Sequence, residues 1–105
     1  MNHPRRRSNM DVTILLGSSS DMPVAEKCTK ILEHFNVSYQ LRVASAHRSP
    51  KFVEDIVQKA EADGCQVFVA MAGLAAALPG AVAALTTKPV IGVPCGGKVP
   101  FDSLL

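Results

Sequence analysis

The apolar residues of this chain follow two spacings that alternate along it, one typical of strands and one typical of helices. Some short stretches are almost continuously apolar and others alternate apolar with polar side chains, and both patterns predict strands. Between these stretches, apolar side chains recur every three or four residues, which predicts amphipathic helices. The predicted strands lie at about 12–16, 38–43, 67–71 and 90–93, and the predicted helices at 22–35, from Pro50 to Gly64, and at 78–87.

Residues that favour helix ends support several of these boundaries. Asp21 is a good N-cap for the first helix, and Asn36 is predicted to end it. Ser49 is predicted to cap the second helix and Pro50 to open it, because proline is favoured in the first helical turn. Gly64 then ends that helix as the residue after its C-cap.

The alternation of strands and helices determines the predicted fold class. Short connections between strand, helix and next strand favour a parallel sheet with right-handed crossovers. We therefore predict a three-layer α/β fold, a flavodoxin-like doubly wound parallel sheet with strand order 2-1-3-4.

Three of the predicted loops follow strands and carry most of the polar chemistry. Residues 17–21 read GSSSD, residues 45–50 read SAHRSP and residues 72–80 read AGLAAALPG. In a parallel sheet these loops all leave the carboxyl edge, where ligands bind at the point at which the strand order reverses. We therefore expect the three loops to form one site.

The side chains of these loops suit a phosphorylated small molecule that carries hydroxyl groups. Gly17 allows close backbone approach, and serines 18–20 offer hydroxyls and amides at a helix N-terminus. Asp21 can accept hydrogen bonds from sugar hydroxyls, and Arg48 presents a fork suited to phosphate. His47 is the histidine that these loops bring to the same edge, beside Arg48. Each residue alone also has a structural explanation, as a cap, a solvated cation or a loop histidine, so the prediction depends on their convergence.

Length and composition are those of one globular domain. The chain has 105 residues, of which 48% are hydrophobic and 19% charged. The net charge of +2 includes Arg5, Arg6 and Arg7, and the remainder of the chain carries 8 basic and 9 acidic residues. That near balance does not indicate a nucleic-acid surface. We expect residues 1–10 to form a disordered basic leader and residues 11–105 to form the domain.

Neither a secretory signal nor a membrane span is predicted, because no apolar stretch has the required length and flanks. Cys28, Cys65 and Cys95 are odd in number and widely spaced. This pattern excludes an obvious zinc site or disulfide framework and fits a reducing cytoplasm. Cys28 and Cys65 are predicted to be small core residues. Cys95 lies in a glycine-rich loop, which leaves open whether it is exposed, and no neighbouring base indicates a nucleophile.

Five segments carry a resemblance to a known family: ILLGSSSDMPVAEK, VASAHRSP, AGLAAALPG, KPVIGVP and DSLL. In order and spacing they are similar to the PurE family, the N5-carboxyaminoimidazole ribonucleotide mutases and aminoimidazole ribonucleotide carboxylases of de novo purine synthesis. The similarity extends over residues 12–105. It implies an enzyme without cofactor or metal that acts on a phosphorylated aminoimidazole ribonucleotide. In the mutase, the carboxylate on N5 leaves as CO2 and is added back at C4 of the ring.

The resemblance also implies roles for individual residues. Ser18 and Asp21 would hold the ribose and phosphate end of the substrate, and Arg48 would bind the phosphate. Ser45 and His47 would face the imidazole, with His47 as the catalytic proton-transfer residue.

The resemblance also gives a role to Gly73, and it relates Arg48 to the class of enzyme. Gly73 would let the third loop pass close to the substrate. Arg48 in SAHR resembles the mutases, since the direct carboxylases tend to have lysine at that position.

Two features depart from the family pattern. Ala77 stands where many members have a histidine, in the pattern AHLPG. The family also continues past DSLL through a further strand and a long C-terminal helix that helps to build an octamer, so this chain resembles a C-terminally truncated member whose fourth strand is an exposed edge. A direct carboxylase and a non-catalytic nucleotide-binding relative therefore stay open beside the mutase. We expect a cytoplasmic homo-oligomer with neither nucleic acid nor membrane as a partner.

Overall fold

Strands and helices alternate through residues 10–44, 50–73 and 77–95, which are the residues described by the structure, a computed structural model. The three ranges contain four strands and three helices, with one 3-10 turn, Ser19–Asp21, ahead of the first helix. The strands are β1 Val12–Leu16, β2 Tyr39–Val43, β3 Val67–Ala72 and β4 Val90–Pro94. The helices are α1 Met22–His34, α2 Pro50–Ala62 and α3 Leu78–Ala83.

The four strands form one parallel sheet in the order β2-β1-β3-β4. β1 is therefore internal, and Ile14 pairs with Leu41 on one side and with Val69 on the other. This confirms the predicted flavodoxin-like fold class and strand order. It also explains why residues 12–16 are nearly all apolar, since all five, including Thr13, are buried in the middle of the sheet.

The core is divided by the sheet into two layers. On one face, Leu15 and Phe68 pack against α2 and α3. On the opposite face, Ile14 and Leu16 pack with partly buried side chains of α1. The change of face between neighbouring residues of β1 follows from the two-residue period of a strand.

Helices α1 and α2 end at the residues that the sequence indicated. Asn36, just after α1, has a φ of 58°, and Gly64, just after α2, has a φ of 95°. Both values lie in the left-handed region, which glycine adopts without strain and asparagine tolerates better than most residues. Both predicted helix ends are confirmed.

The prediction for α3 was too long, because this helix ends at Ala83 and not at Thr87. Two local features stop it. The hydroxyl of Thr86 accepts a hydrogen bond from the backbone N–H of Lys88 at 3.0 Å, which offers the chain a turn in place of another helical bond. Lys88 also precedes Pro89, and a residue before proline is disfavoured in the helical region.

The β4 edge of the sheet is open to solvent among the described residues. β4 lies at the edge of the sheet, and the side chain of Ile91 is 53% exposed. An apolar groove of about 400 Å³ runs beside it on the α1 side. Its lining includes Leu32, Val67, Val69, Ile91 and Val93. The edge position predicted for the fourth strand is thus found in the described sheet.

Phe68→Ala should lower the free energy of unfolding by about 3–5 kcal/mol, because Phe68 is fully buried on β3 and its removal leaves a cavity. The matched control is Phe35→Ala at the end of α1. That side chain is 68% exposed, and its loss should cost under about 1 kcal/mol. Urea denaturation followed by circular dichroism measures both, and equal losses would contradict the assignment of Phe68 to the core.

Candidate functional site

The carboxyl edge of the sheet is held in register for one residue beyond the strands. The next residues after β2, β1 and β4 each donate a backbone hydrogen bond to a neighbouring strand, at 2.7–2.9 Å. The bonds run from Ala44 to Leu16, from Gly17 to Met71 and from Cys95 to Ala72. The points at which the chain leaves β2, β1, β3 and β4 therefore lie side by side, as the sequence analysis required for a shared site.

The loop after β1 presents three serines to solvent. Ser18 has extended backbone angles, and its hydroxyl accepts a hydrogen bond from the Ser20 backbone N–H at 3.2 Å. The Ser18 and Ser20 hydroxyls also lie 3.0 Å apart. Ser18, Ser19 and Ser20 are all exposed at the edge. Their hydroxyls can therefore reach a ligand that lies over the ends of β1 and β3.

Asp21 has the position of an N-cap but not the hydrogen bond of one. It directly precedes α1, yet its side chain makes no capping bond to the helix. The cap is instead Ser18, which begins the 3-10 turn that leads into α1. Asp21 therefore lies at the predicted N-cap position, but it does not make the capping hydrogen bond expected there. Its carboxylate is therefore not used to cap the helix.

The thiol of Cys95, the residue after β4, donates to the Val93 carbonyl oxygen at 3.9 Å. Cys95 is only 3% exposed, so the glycine-rich sequence around it does not expose its side chain. Burial raises the pKa of this thiol to about 11, and the negative charge and hydrogen bonding of Asp21 contribute to the increase. The thiol is protonated at neutral pH, which agrees with the expectation that Cys95 is no nucleophile.

Glycine at position 73 lets β3 and β4 approach each other at their carboxyl ends. A Cβ at Gly73 would lie 3.2 Å from the backbone carbonyl oxygen of Cys95. Gly17 is packed in a similar way, with 3.2 Å between its ideal Cβ and the Cβ of Ala72. Close packing therefore favours glycine at both positions. At Gly73 this reason stands beside the ligand approach predicted from the resemblance.

Three predicted site residues, Ser45, His47 and Arg48, lie outside the described residues. The residues on either side of that loop are described. Ala44 is bonded to the end of β1, and Pro50 begins α2. The roles predicted for the three side chains stay predictions.

Neither a metal cluster nor a membrane helix is found among residues 10–44, 50–73 and 77–95. In these ranges no three His, Cys, Asp or Glu side chains come together in a way that could hold a metal ion. No helix within them is long and apolar enough to cross a membrane.

Comparison with known proteins identifies the family. The family model described as AIR carboxylase matches residues 11–105. The chain belongs to the AIR carboxylase family. The match begins one residue before β1 and includes all four strands of the described sheet.

Individual proteins similar to this chain agree with the match to the AIR carboxylase family model. An N5-carboxyaminoimidazole ribonucleotide mutase of Methanocaldococcus jannaschii is 55% identical over 95 residues, which are 90% of this chain and 59% of that protein. The mutase of Aliivibrio fischeri is 44% identical over 98 residues and is 61% covered. A crystal structure of Treponema denticola PurE superimposes with a TM-score of 0.78 at 36% identity, over 82% of this chain and 55% of the other. The chain thus spans a little over half the length of these relatives.

Sequence reasoning missed the burial of Cys95 at the sheet edge. The signal that could have found it is topological. Cys95 follows the fourth strand directly, so it lies at the same carboxyl edge as the other three loops. The glycine-rich sequence after Cys95 obscured this signal, because such a sequence is typical of an exposed loop.

Gly73→Ala should lower the free energy of unfolding by about 1–3 kcal/mol, because the added methyl group meets a backbone carbonyl that the sheet holds in place. The control is Gly80→Ala on α3, where an added Cβ meets nothing within 4 Å. Alanine favours a helix there, so stability should stay the same or rise by up to about 1 kcal/mol. Urea denaturation separates the two, and similar effects of both substitutions would contradict the close packing at Gly73.

The raised pKa of Cys95 should make stability fall at alkaline pH. A thiol whose pKa is higher in the folded state than its ordinary value of 9.0 stabilises the fold below that pH. The contribution is lost as the pH rises from about 9 towards about 11, because the unfolded thiol ionises first. Cys95→Val should remove this part of the alkaline loss, on the order of 2 kcal/mol. Urea denaturation at neutral and alkaline pH measures it, and identical pH profiles of the two proteins would contradict it.

Proposed function

We propose that this protein acts as an N5-carboxyaminoimidazole ribonucleotide mutase of de novo purine synthesis. The observation that carries the proposal is the arrangement of the loops at the sheet edge. Ala44, Gly17 and Gly73, at which the three loops of family sequence begin, adjoin one another there. The names of the relatives support the mutase over the direct carboxylase, as does arginine at position 48 in place of lysine.

The described part of the site suits the ribose and phosphate end of such a substrate. Exposed hydroxyls at Ser18 and Ser20 can donate to phosphate oxygens or accept from ribose. The Asp21 carboxylate is an acceptor for ribose hydroxyls that is not used for helix capping. We assign Arg48 to the phosphate, since its guanidinium can bind two oxygens at once.

The reaction itself needs one group that both gives and takes a proton. The bond between N5 and the carboxylate carbon breaks, CO2 is released within the site, and N5 gains a proton. A bond then forms between C4 and the carbon of CO2, and C4 loses its proton. We assign both transfers to His47, beside Ser45 at the imidazole, because the pKa of imidazole lies near neutral pH. No proton is gained or lost overall, as an isomerisation requires.

The setting of the reaction follows from the same assignment. We infer that the protein works in the cytoplasm, with residues 11–105 as the catalytic domain and residues 1–10 as a leader, and as a homo-oligomer. The cytoplasmic location is supported by the soluble ribonucleotide substrate and by the free cysteines among the described residues.

The test is an assay of the chain with N5-carboxyaminoimidazole ribonucleotide, following formation of the C4-carboxylated product. A parallel reaction receives aminoimidazole ribonucleotide and bicarbonate. We expect turnover of the first substrate only, and we expect His47→Asn to abolish it while nucleotide affinity stays within about tenfold.

Three other outcomes would contradict the proposed function or the role of His47. Turnover of aminoimidazole ribonucleotide with bicarbonate would indicate the direct carboxylase. Saturable nucleotide binding without turnover would indicate a non-catalytic relative. Full activity of His47→Asn would remove His47 from the proton-transfer role.

A further inference from the structure

The backbone hydrogen bonds of β4 show which of its residues face the open edge of the described sheet. The Phe68 N–H donates to the carbonyl of Pro89, just before β4, at 3.0 Å. The N–H of Cys95, just after β4, donates to the Ala72 carbonyl at 2.9 Å. Pro89 and Cys95 therefore both face β3. Because backbone groups alternate sides along a strand, the odd-numbered residues of β4 also face β3 and the even-numbered residues face away from it.

The three residues that face the open edge are nearly complementary to a second copy of themselves. Val90 and Gly92 each present an N–H and a C=O there, and Pro94 presents only a C=O, since proline has no N–H. In an antiparallel pair of β4 strands centred on Gly92, the two Gly92 residues exchange two hydrogen bonds. Each Val90 N–H then donates to the Pro94 carbonyl of the other copy. Every outward N–H obtains an acceptor, and only the Val90 carbonyl stays with solvent.

The side chains of β4 suit the same pairing. Ile91 and Val93 line the apolar groove on the α1 side of the sheet, and Ile91 is 53% exposed. In a pair centred on Gly92, Ile91 of each copy lies opposite Val93 of the other, at the positions where cross-strand side chains come closest. Two aliphatic pairs thus form across the junction, and they bury the exposed side chain of Ile91.

The β4 edge has little of the protection that keeps other sheet edges apart. Such edges usually carry charged side chains, proline or a bulge. Residues 89–95 contain no charged side chain, and β4 pairs with β3 without a bulge. Pro94 is a protective residue, but it lies at the end of the strand, where the pairing uses only its carbonyl. A second copy therefore fits this edge, since it supplies a strand of equal length with matching donors and acceptors.

We propose that two copies of this chain pair antiparallel through β4, about a two-fold axis beside Gly92, and so join their four-stranded sheets into one. The inference gives a surface to the homo-oligomer of the proposed function and does not depend on the substrate. Because the paired strands run in opposite directions, the two candidate sites lie at opposite ends of the joined sheet and stay open.

The size of the contact sets the expected strength of the dimer. One pair of five-residue strands makes a smaller contact than the roughly 1,200–2,000 Å² of a typical stable interface. We therefore expect a weak dimer, with a Kd on the order of 10–100 µM.

Sedimentation velocity of the whole chain, from about 5 to about 500 µM, measures this association. We expect monomer at the lowest concentration and dimer at the highest. Ile91→Lys should weaken the dimer at least about tenfold, because it places a charge in the strand junction. The control is Ile31→Lys on α1, which adds the same charge at a side chain that is 60% exposed and outside the groove lining. It should leave the Kd within about threefold.

Amide hydrogen exchange, followed by NMR on the unsubstituted chain, tests the pairing itself. The N–H groups of Val90 and Gly92 should exchange slowly only at concentrations at which the dimer forms. The N–H groups of Ile91 and Val93, which face β3, should be protected at every concentration. This alternation distinguishes strand pairing from a dimer whose apolar grooves pack face to face, since that dimer leaves Val90 and Gly92 open to water.

Four results would overturn the proposal. A chain that stays monomeric at about 500 µM has no such interface. A dimer in which Val90 and Gly92 exchange rapidly pairs elsewhere. A monomer in which both amides are protected at every concentration has its edge covered by its own chain. Equal weakening by Ile91→Lys and Ile31→Lys would remove β4 from the interface. Neither measurement contains a substrate, so failure of the mutase assay would leave this inference standing.

Discussion

The pairing of β1 with two parallel neighbours is the constraint on which the rest of the structure depends. All five residues of β1 are buried, and its backbone bonds both β2 and β3. Because the strands are parallel and in register, the chain leaves all of them at one edge. Loops that are far apart in sequence therefore become neighbours because the sheet brings their ends together.

Small residues make that edge tight enough to work as a site. Gly17 lies against Ala72, and Gly73 against the carbonyl of Cys95, with no room for a larger side chain at either glycine. This close packing brings the ends of β1, β3 and β4 together at one edge. The same residues thus serve the stability of the sheet and the geometry of the candidate site.

Asp21 lies at the N-cap position of α1 without making the capping bond. Ser18 caps the 3-10 turn, and the side chain of Asp21 makes no capping bond. In most helices an aspartate at this position would be used by the helix itself. The short turn ahead of α1 is what makes the difference.

Much of this protein was determined by the sequence alone, where the signal is local. The buried run of β1, the alternation in β2 and the left-handed residues Asn36 and Gly64 each depend on their own neighbourhood, and each was predicted correctly. The strand order also followed, since handedness and short connections leave few topologies. The loop motifs were recognisable for the same reason, because their residue types and spacing are contiguous in the chain.

Only the tertiary structure decided the features that join distant segments. α3 ends at Ala83 because its next residues turn towards β4, where a run of small apolar residues had indicated a longer helix. Cys95 is buried because the sheet and α1 enclose it, although its own sequence is typical of an exposed loop. The backbone of Cys95 is bonded to Ala72, and Gly17 to Met71, and these bonds between distant residues exist only once the sheet has formed.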